Sequence, residues 1–343
     1  MLPFVVRRLA QLPLLFLAAT LLVFGLMQLL SPYQLVAAFV RSPQELKTFT
    51  LDQLVEKYNL GAPLHVKYVA WMSQLLRGNL GWSEAAKEPV FDALVRRFPA
   101  TVELTLYASL PMALGGVWLG VLSAVHRNRP IDHASRVFAI IGWSFPTFVF
   151  GLVFLMIFYG VLGWFPPDRL SVWAVQAVVA PEFRWRTGLV TIDALWNGRL
   201  DIFLDALRHL VGPVVTLSYL YWAQLMRITR SSMLETLQQD YIRTARAKGL
   251  DEATVIGKHA LRNALIPVAT VISFMVFGLL GGVAVTETIF NYPGIGRLIV
   301  QASLLLDRAT VLGVLLLYVV VLGVLFLVLD VLYMLIDPRV RVG

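Results

Sequence analysis

The 343-residue chain contains no cysteine. That excludes disulfide frameworks, thiolate zinc sites, cysteine nucleophiles and Cys-ligated iron–sulfur clusters together. Charge is scarce as well: Asp, Glu, Lys and Arg make up 15% of residues, against about 25% in a soluble domain. No P-loop is present. Gly257-Lys258-His259 is the only Gly-Lys pair, and a phosphate cradle needs a glycine five residues upstream of the Gly-Lys pair and a hydroxyl after the lysine. The histidines at 65, 126, 133, 209 and 259 never reach the His-Glu-x-x-His spacing of a zinc site. Ser144, in Gly-Trp-Ser-Phe-Pro, does not form a nucleophile elbow. Internal repeats and low-complexity tracts are also missing. What fills the chain is apolar: 58% of residues are hydrophobic, so neither a disordered polymer nor an ordinary soluble globule fits. The net charge of +8 then describes basic loops against lipid rather than a nucleic-acid surface.

A hydrocarbon core of about 30 Å takes about 20 apolar helical residues. Six segments satisfy this: Leu9 to Leu30, Thr101 to Val125, Val137 to Gly163, Leu210 to Met226, Ile266 to Val285 and Thr310 to Ile336. The expected fold is therefore an all-α polytopic membrane protein with six transmembrane helices. The first segment follows Arg7 and Arg8 and is too long for a signal-peptide core, so it is read as a retained helix. With the N-terminus inside, the cytoplasmic segments hold 14 Lys and Arg in 62 residues, and the external segments 15 in 134. The positive-inside rule thus puts both termini in the cytoplasm. The expected organisation is a cytoplasmic tip and first span over 1–30, an external cap over 31–99, a transmembrane core over 100–336 and a cytoplasmic tail over 337–343. Within the core, 164–208 is an external excursion and 227–265 a cytoplasmic loop.

The external cap carries turn signals at Gly61, Pro63, Gly78, Gly81 and Pro89 and an amphipathic stretch near Val66 to Leu76. Tryptophans in 164–208 are read as interfacial anchors, with substrate contact as the alternative. Only Glu103, Glu287 and Asp330 bring charge to the spans, where a buried charge costs about 2.5 to 3.5 kcal/mol on insertion scales. Solvent access near the external boundary explains Glu103 and Glu287; the functional alternative is an external gate or substrate entrance. A structural pairing is expected for Asp330. Pro146 is expected to bend the third span.

The fourth span reads as continuing into the cytoplasm as a helix, with Leu234, Leu237, Tyr241 and Ala245 on one face and Glu235, Gln239, Arg243 and Arg246 on another. Gly249 stops it in a left-handed conformation. Asp251 caps a second helix with Ala253, Ile256, Ala260 and Ala264 on one face, and Lys258 and Arg262 on another. By pattern alone this is either a basic helix lying on the membrane surface or a lever that docks into a soluble partner.

The residues themselves resemble a family. Asp240-Tyr-Ile-Arg-Thr-Ala-Arg-Ala-Lys-Gly-Leu250 and His259-Ala-Leu-Arg-Asn-Ala-Leu-Ile-Pro267 are similar to the coupling loop of binding-protein-dependent ABC importer permeases of the dipeptide/oligopeptide/nickel branch. Leu76-Arg-Gly-Asn-Leu-Gly81, Phe98-Pro-Ala-Thr-Val-Glu103, Ser144-Phe-Pro-Thr147, Gly163-Trp-Phe-Pro166, Glu287-Thr-Ile-Phe-Asn-Tyr-Pro-Gly-Ile-Gly-Arg297 and Asp337-Pro-Arg339 resemble, in order, that branch's first permease subunit. The general permease pattern is Glu-Ala-Ala, three residues, Gly, nine residues, then Ile-x-Leu-Pro. Ala245, Gly249 and Leu261 match it, whereas Arg243, Thr244, His259 and Arg262 depart from it.

The resemblance implies the type I ABC importer permease fold and a transport subunit rather than an enzyme. It implies a docking loop for an ATPase subunit, comprising Asp240, Tyr241, Arg243, Thr244, Ala245 and Arg246, with Ala247, Lys248, Gly249, Leu250 and Leu261. Glu103, Glu287, Asn291 and Tyr292 are the corresponding candidates for an external gate or substrate entrance. No cofactor is expected in this chain, since ATP and magnesium would bind the ATPases. The implied partners are a second permease subunit, two ATPase subunits, an extracytoplasmic substrate-binding protein and membrane lipid, with no nucleic acid, in the cell membrane of a prokaryote. The implied cargo is a di- or oligopeptide; nickel, glutathione or an oligosaccharide are alternatives within the branch, and a self-sufficient secondary carrier is the alternative outside it.

Overall fold

The computed structural model describes residues 2–40 and 42–336. Its architecture is helical, with one antiparallel pair of two-residue strands in which Trp82 faces Pro89 and Ser83 faces Glu88. The principal helices are α1 (Leu2–Met27), α2 (Leu64–Leu76), α3 (Val90–Val125), α4 (Pro130–Ser144), α5 (Thr147–Phe154), α6 (Val172–Val179) and α7 (Val190–Trp196). They continue with α8 (Leu200–Leu237), α9 (Asp240–Ala247), α10 (Leu261–Gly282), α11 (Ala284–Ile289) and α12 (Arg308–Ile336).

The six expected spans map onto α1, α3, the pair α4 and α5, α8, α10 and α12. Among the described residues, three helical stretches are long and apolar enough to cross a membrane: Val90–Val125, Glu252–Val276 and Arg308–Val328. The third expected span is not one straight helix, because α4 and the helix from Thr147 to Val161 meet at 102°. A proline excludes the helical conformation from the residue before it, and Phe145 is accordingly extended (φ −83°, ψ 126°) ahead of Pro146. Counting that bent pair as one span gives four. α1 contributes a shorter apolar stretch over Pro13–Met27, and the interior of α8 is diluted by Pro213, Thr216, Ser218 and Gln224. The described helices are compatible with six spans. Asp330's side chain and the tail 337–343 lie outside what is described.

The chain divides into two compact units, one built from the residues up to Phe98 together with those from Arg297 on, the other from Pro99–Gly296. In the first, α1 packs along α12, and Phe24, Met27, Phe39, Leu54 and Trp71 form a core with Leu316. The turn before α12 is held by one buried carboxylate. Asp307 accepts hydrogen bonds from Ser83 Oγ (3.1 Å), the Ala85 amide (3.0 Å) and both the amide and hydroxyl of Thr310, so it also caps the start of α12.

In the second unit, α3, α8 and α10 share a core of Leu104, Met112, Leu217, Leu225, Val268 and Met275. α3 presents Gly116 and Gly120 to α8, and a Cβ at either would fall within 2.7 Å of Leu225 or 2.4 Å of Thr229. Small residues let two helices approach where lipid offers no hydrophobic drive. Two side chains on α8 then bond across the contact to carbonyls of α3: Ser218 Oγ to Ala108 (3.2 Å) and Trp222 Nε1 to Pro111 (2.9 Å).

Candidate functional site

The loop between α8 and α10 is built in three pieces. α8 does not continue to Gly249 as the sequence pattern suggests. It ends at Leu237, and Gln239 is extended (φ −70°, ψ 149°), so α9 starts afresh at Asp240. The break resets the helical register. Ile242 and Ala245 turn inward, at 0% and 6% exposure, while Tyr241 faces out. They pack with Ala124, Met233, Val255, Ala260 and Ala264 in a small core.

Gly249 ends α9 at φ +75°, the left-handed conformation expected of it, and a Cβ there would meet nothing within 4 Å. Asp251 caps the next helix as expected, accepting from the Thr254 amide at 2.9 Å. The face of that helix shifts from the one read in the sequence. Residues Val255–Ala260 are wound as a π-helix, so five residues, not four, separate the inward Val255 from Ala260, and Ile256 is only half-buried. Arg246 bridges the glycine turn through two bonds to Glu252 (3.1 and 2.6 Å).

Of the proposed docking residues, Asp240, Tyr241, Arg243, Thr244, Arg246, Ala247, Lys248, Gly249 and Leu250 are exposed. Leu261 is half-buried, and Ala245 belongs to the underlying core. The α9 turn is thus a projection with a polar outer face and an apolar root.

That root has a polar anchor which sequence reasoning missed. Asp132, at 0% exposure, accepts from Arg230 Nε (3.0 Å) and Nη2 (2.9 Å), from Ser123 Oγ, and from the Asn128 amide (3.0 Å). It joins the end of α3, the turn into α4 and the last turns of α8. The Arg230 hydrogen bonds, helped by Ser123 and Asn128, hold its carboxyl well below the usual carboxylate range despite burial. The signal was available: Asp132 is the only acidic residue in the basic segment 126–136. Ser232 Oγ adds a bond to the Ala264 carbonyl (2.8 Å), tying α8 to α10.

At the opposite end of this unit, the two glutamates expected to lie in solvent are buried, Glu103 at 1% and Glu287 at 0%. Glu103 Oε2 accepts from Arg169 Nε (2.9 Å) and Nη2 (2.6 Å) and from the Tyr292 hydroxyl (3.1 Å). Its Oε1 accepts from the Thr191 amide (2.8 Å) and hydroxyl (2.7 Å). Arg169 also donates to the Gly188 carbonyl (2.8 Å). Burial, reinforced by the neighbouring carboxylate, pushes the Tyr292 phenol well above its ordinary value. Glu287 accepts from Thr101 Oγ1 (2.6 Å), which itself accepts from the Ile295 amide (2.8 Å). Asn291 is exposed and donates to Asp168. Thus Glu103 and Tyr292 come together with Arg169, a partner the sequence did not suggest. Glu287 joins a neighbouring cluster, and Asn291 stands at the surface.

A helical membrane unit with an outward-facing polar turn, seated on a sequence that resembles a permease coupling loop, is what the comparisons with known proteins match. The family described as "Binding-protein-dependent transport system inner membrane component" matches residues 116–342. The chain belongs to that family. Its relatives include the di/tripeptide transport system permease protein DppB of Pseudomonas aeruginosa, 40% identical over 99% of both chains. The dipeptide transport system permease protein DppB of Escherichia coli K12 is 36% identical over 99% of both. The oligopeptide transport system permease protein AppB of Bacillus subtilis is 35% identical over 84% of both. As an inner membrane transport component, the chain is a multi-pass subunit of a larger transport complex, and the matched region contains the α8 to α10 loop, the Asp132 anchor and Glu287 itself.

Proposed function

We propose that this chain is a permease subunit of an ATP-driven importer that moves di- or oligopeptides, and that it forms half of the translocation path. The observation that carries the reading is the α9 turn: six exposed residues on a short helix and three more in the glycine turn after it, with a root, Ile242 and Ala245, fixed in the core of three spans. Such a helix can pass a displacement to α8 and α10 instead of bending alone, because packed interiors transmit strain. The names of the relatives support the peptide cargo.

In this reading ATP and magnesium bind two separate ATPase subunits, since the sequence holds no P-loop. A second permease completes the path, and an extracytoplasmic binding protein delivers the peptide. Closure of the ATPases would push the α9 turns, rock the spans and change which side the path faces. Both termini and the α8 to α10 loop are cytoplasmic, on the strength of the Lys and Arg distribution.

Two measurements test this. Single cysteines at Asn59, Asn197 and Asp251 in intact cells should react with an impermeant thiol reagent at the first two positions only; labelling at Asp251 alone inverts the orientation. Peptide uptake into proteoliposomes should require the ATPases, ATP and the binding protein together. Uptake by this chain alone down a proton gradient would make it a secondary carrier.

A further inference from the structure

Between α4 and α8 lies a cavity of about 610 Å³ that the coupling role does not use. Its floor is made by Ala139, Ala223 and Met226, all buried, where the two alanines leave a trough between the helices. Ile140 and Trp143 raise apolar walls, while Arg136, Arg227 and Arg230 line the part toward the start of α4 and the last turns of α8, where Ser231 and Leu234 also lie. Arg230 is committed to Asp132. Arg136 and Arg227 are exposed, and neither has an acidic partner among the described residues.

The charged end has a definite depth. Arg136 is the residue before the expected third span, and Arg227 the residue after the expected fourth. The two helices run in opposite senses, so both cations stand at the same membrane boundary. Trp143 lies seven residues further along α4, about 10 Å deeper at about 1.5 Å per residue. Gln224 lies about one turn deeper than Arg227, a donor between the cations and the apolar trough.

We infer that this trough is a binding site for an anionic phospholipid of the cytoplasmic leaflet, with the phosphate between Arg136 and Arg227, the ester region at Gln224 and an acyl chain along Ala139, Ile140 and Trp143. The assignment of leaflet rests on the orientation proposed above. A head of two unneutralised guanidiniums continuous with an apolar trough calls for an amphiphile with an anionic head, and basic pockets between spans on the cytoplasmic side take such headgroups. A zwitterionic peptide would bring its own ammonium among three guanidiniums and leave the trough unfilled. The site abuts the Asp132–Arg230 anchor, so the lipid would brace the helix that carries α9.

The test uses the assembled permease–ATPase complex in nanodiscs of phosphatidylcholine with a tracer of phosphatidylglycerol bearing a photoactivatable acyl chain. Cross-links are expected on α4 and α8. Each arginine held against the anionic head in the trough contributes about fivefold in affinity, so R136Q/R227Q should weaken labelling about thirtyfold. Arg127 and Arg129, exposed in the same loop but outside the trough, serve as controls, and R127Q/R129Q should change labelling less than about twofold. Equal labelling by a photoactivatable phosphatidylcholine, or no effect of R136Q/R227Q, overturns the site. So does competition by a dipeptide, which would make the trough part of the cargo path. Absence of label with cross-linking of R136C to the second permease would make it a subunit interface, which equally overturns it. Nanodiscs expose both leaflets, so an inverted orientation would show in the thiol test alone and leave this labelling intact.

Discussion

Replacing Gly249 separates a conformational requirement from a steric one. The residue sits at φ +75°, and the position of a Cβ there is open to solvent. A side chain therefore meets no clash; the cost is that of holding an L-residue in the left-handed region, about 1 to 2 kcal/mol, more for a β-branched residue and less for Asn. That is a factor of about 5 to 30 against the native turn. The turn also carries the Gly249 amide to Arg246 carbonyl bond (2.9 Å) and positions Glu252 for Arg246. Because the turn is exposed, expression and membrane insertion should stay near wild type in Gly249→Asn, Gly249→Ala and Gly249→Val alike. Coupling should not. Peptide transported per ATP hydrolysed, measured in proteoliposomes with the full complex, should fall in the order Asn, Ala, Val, with Val lowest. A Val variant that couples normally while Asn fails would refute the conformational argument, and loss of membrane insertion in all three would mean that the turn serves folding.

Ala245 makes a different prediction now that its side chain is known to face inward: Ala245→Glu buries a carboxylate among Ile242, Val255 and Ala260, so it should lower the yield of intact complex through the fold, and Thr244→Glu on the outer face should leave yield intact while weakening ATPase association. Asp132→Asn and Arg230→Gln should each lower thermal stability, by roughly 3 kcal/mol or less because Arg230 is partly exposed, and the double variant should lose less than the sum. Since Asp132 titrates below its unfolded value of about 3.9, its contribution is complete above that pH and fades only as pH falls through the native value, so these losses should be constant between about pH 6 and 8. Glu103→Gln leaves Arg169 buried beside a neutral amide, a cost of about 3 to 5 kcal/mol, and should be read as faster proteolysis within 164–208 in the purified complex; unchanged proteolysis would show that Thr191 and Tyr292 alone hold the segment.

The helical class and the glycine break could be read from the sequence because each rests on local properties: apolar runs, Gly249 and the Asp251 cap. The family was legible for another reason, the ordered series of motifs. What escaped is nonlocal or a matter of register. The π-turn at Val255–Ala260 and the restart at Gln239 each shift the helical phase, which a fixed 3.6-residue period cannot register. Glu103 looked solvated because its partner Arg169 is 66 residues away, and Asp132 drew no notice because Arg230 is 98 away. A charge near a membrane boundary has two resolutions, water or a counterion, and only the folded chain brings the counterion.

The central claim is that α9 docks on an ATPase subunit with its outer face. Single cysteines placed at Tyr241, Arg243, Thr244 and Lys248 in this cysteine-free chain, each carrying a photoactivatable maleimide, should cross-link to the ATPase subunit in the native complex, whereas cysteines at the inward positions Ile242 and Ala245 should not. Cross-linking to lipid from the outer face, with no ATPase adduct from any of the four positions, would contradict the account and make α9 a membrane-surface helix.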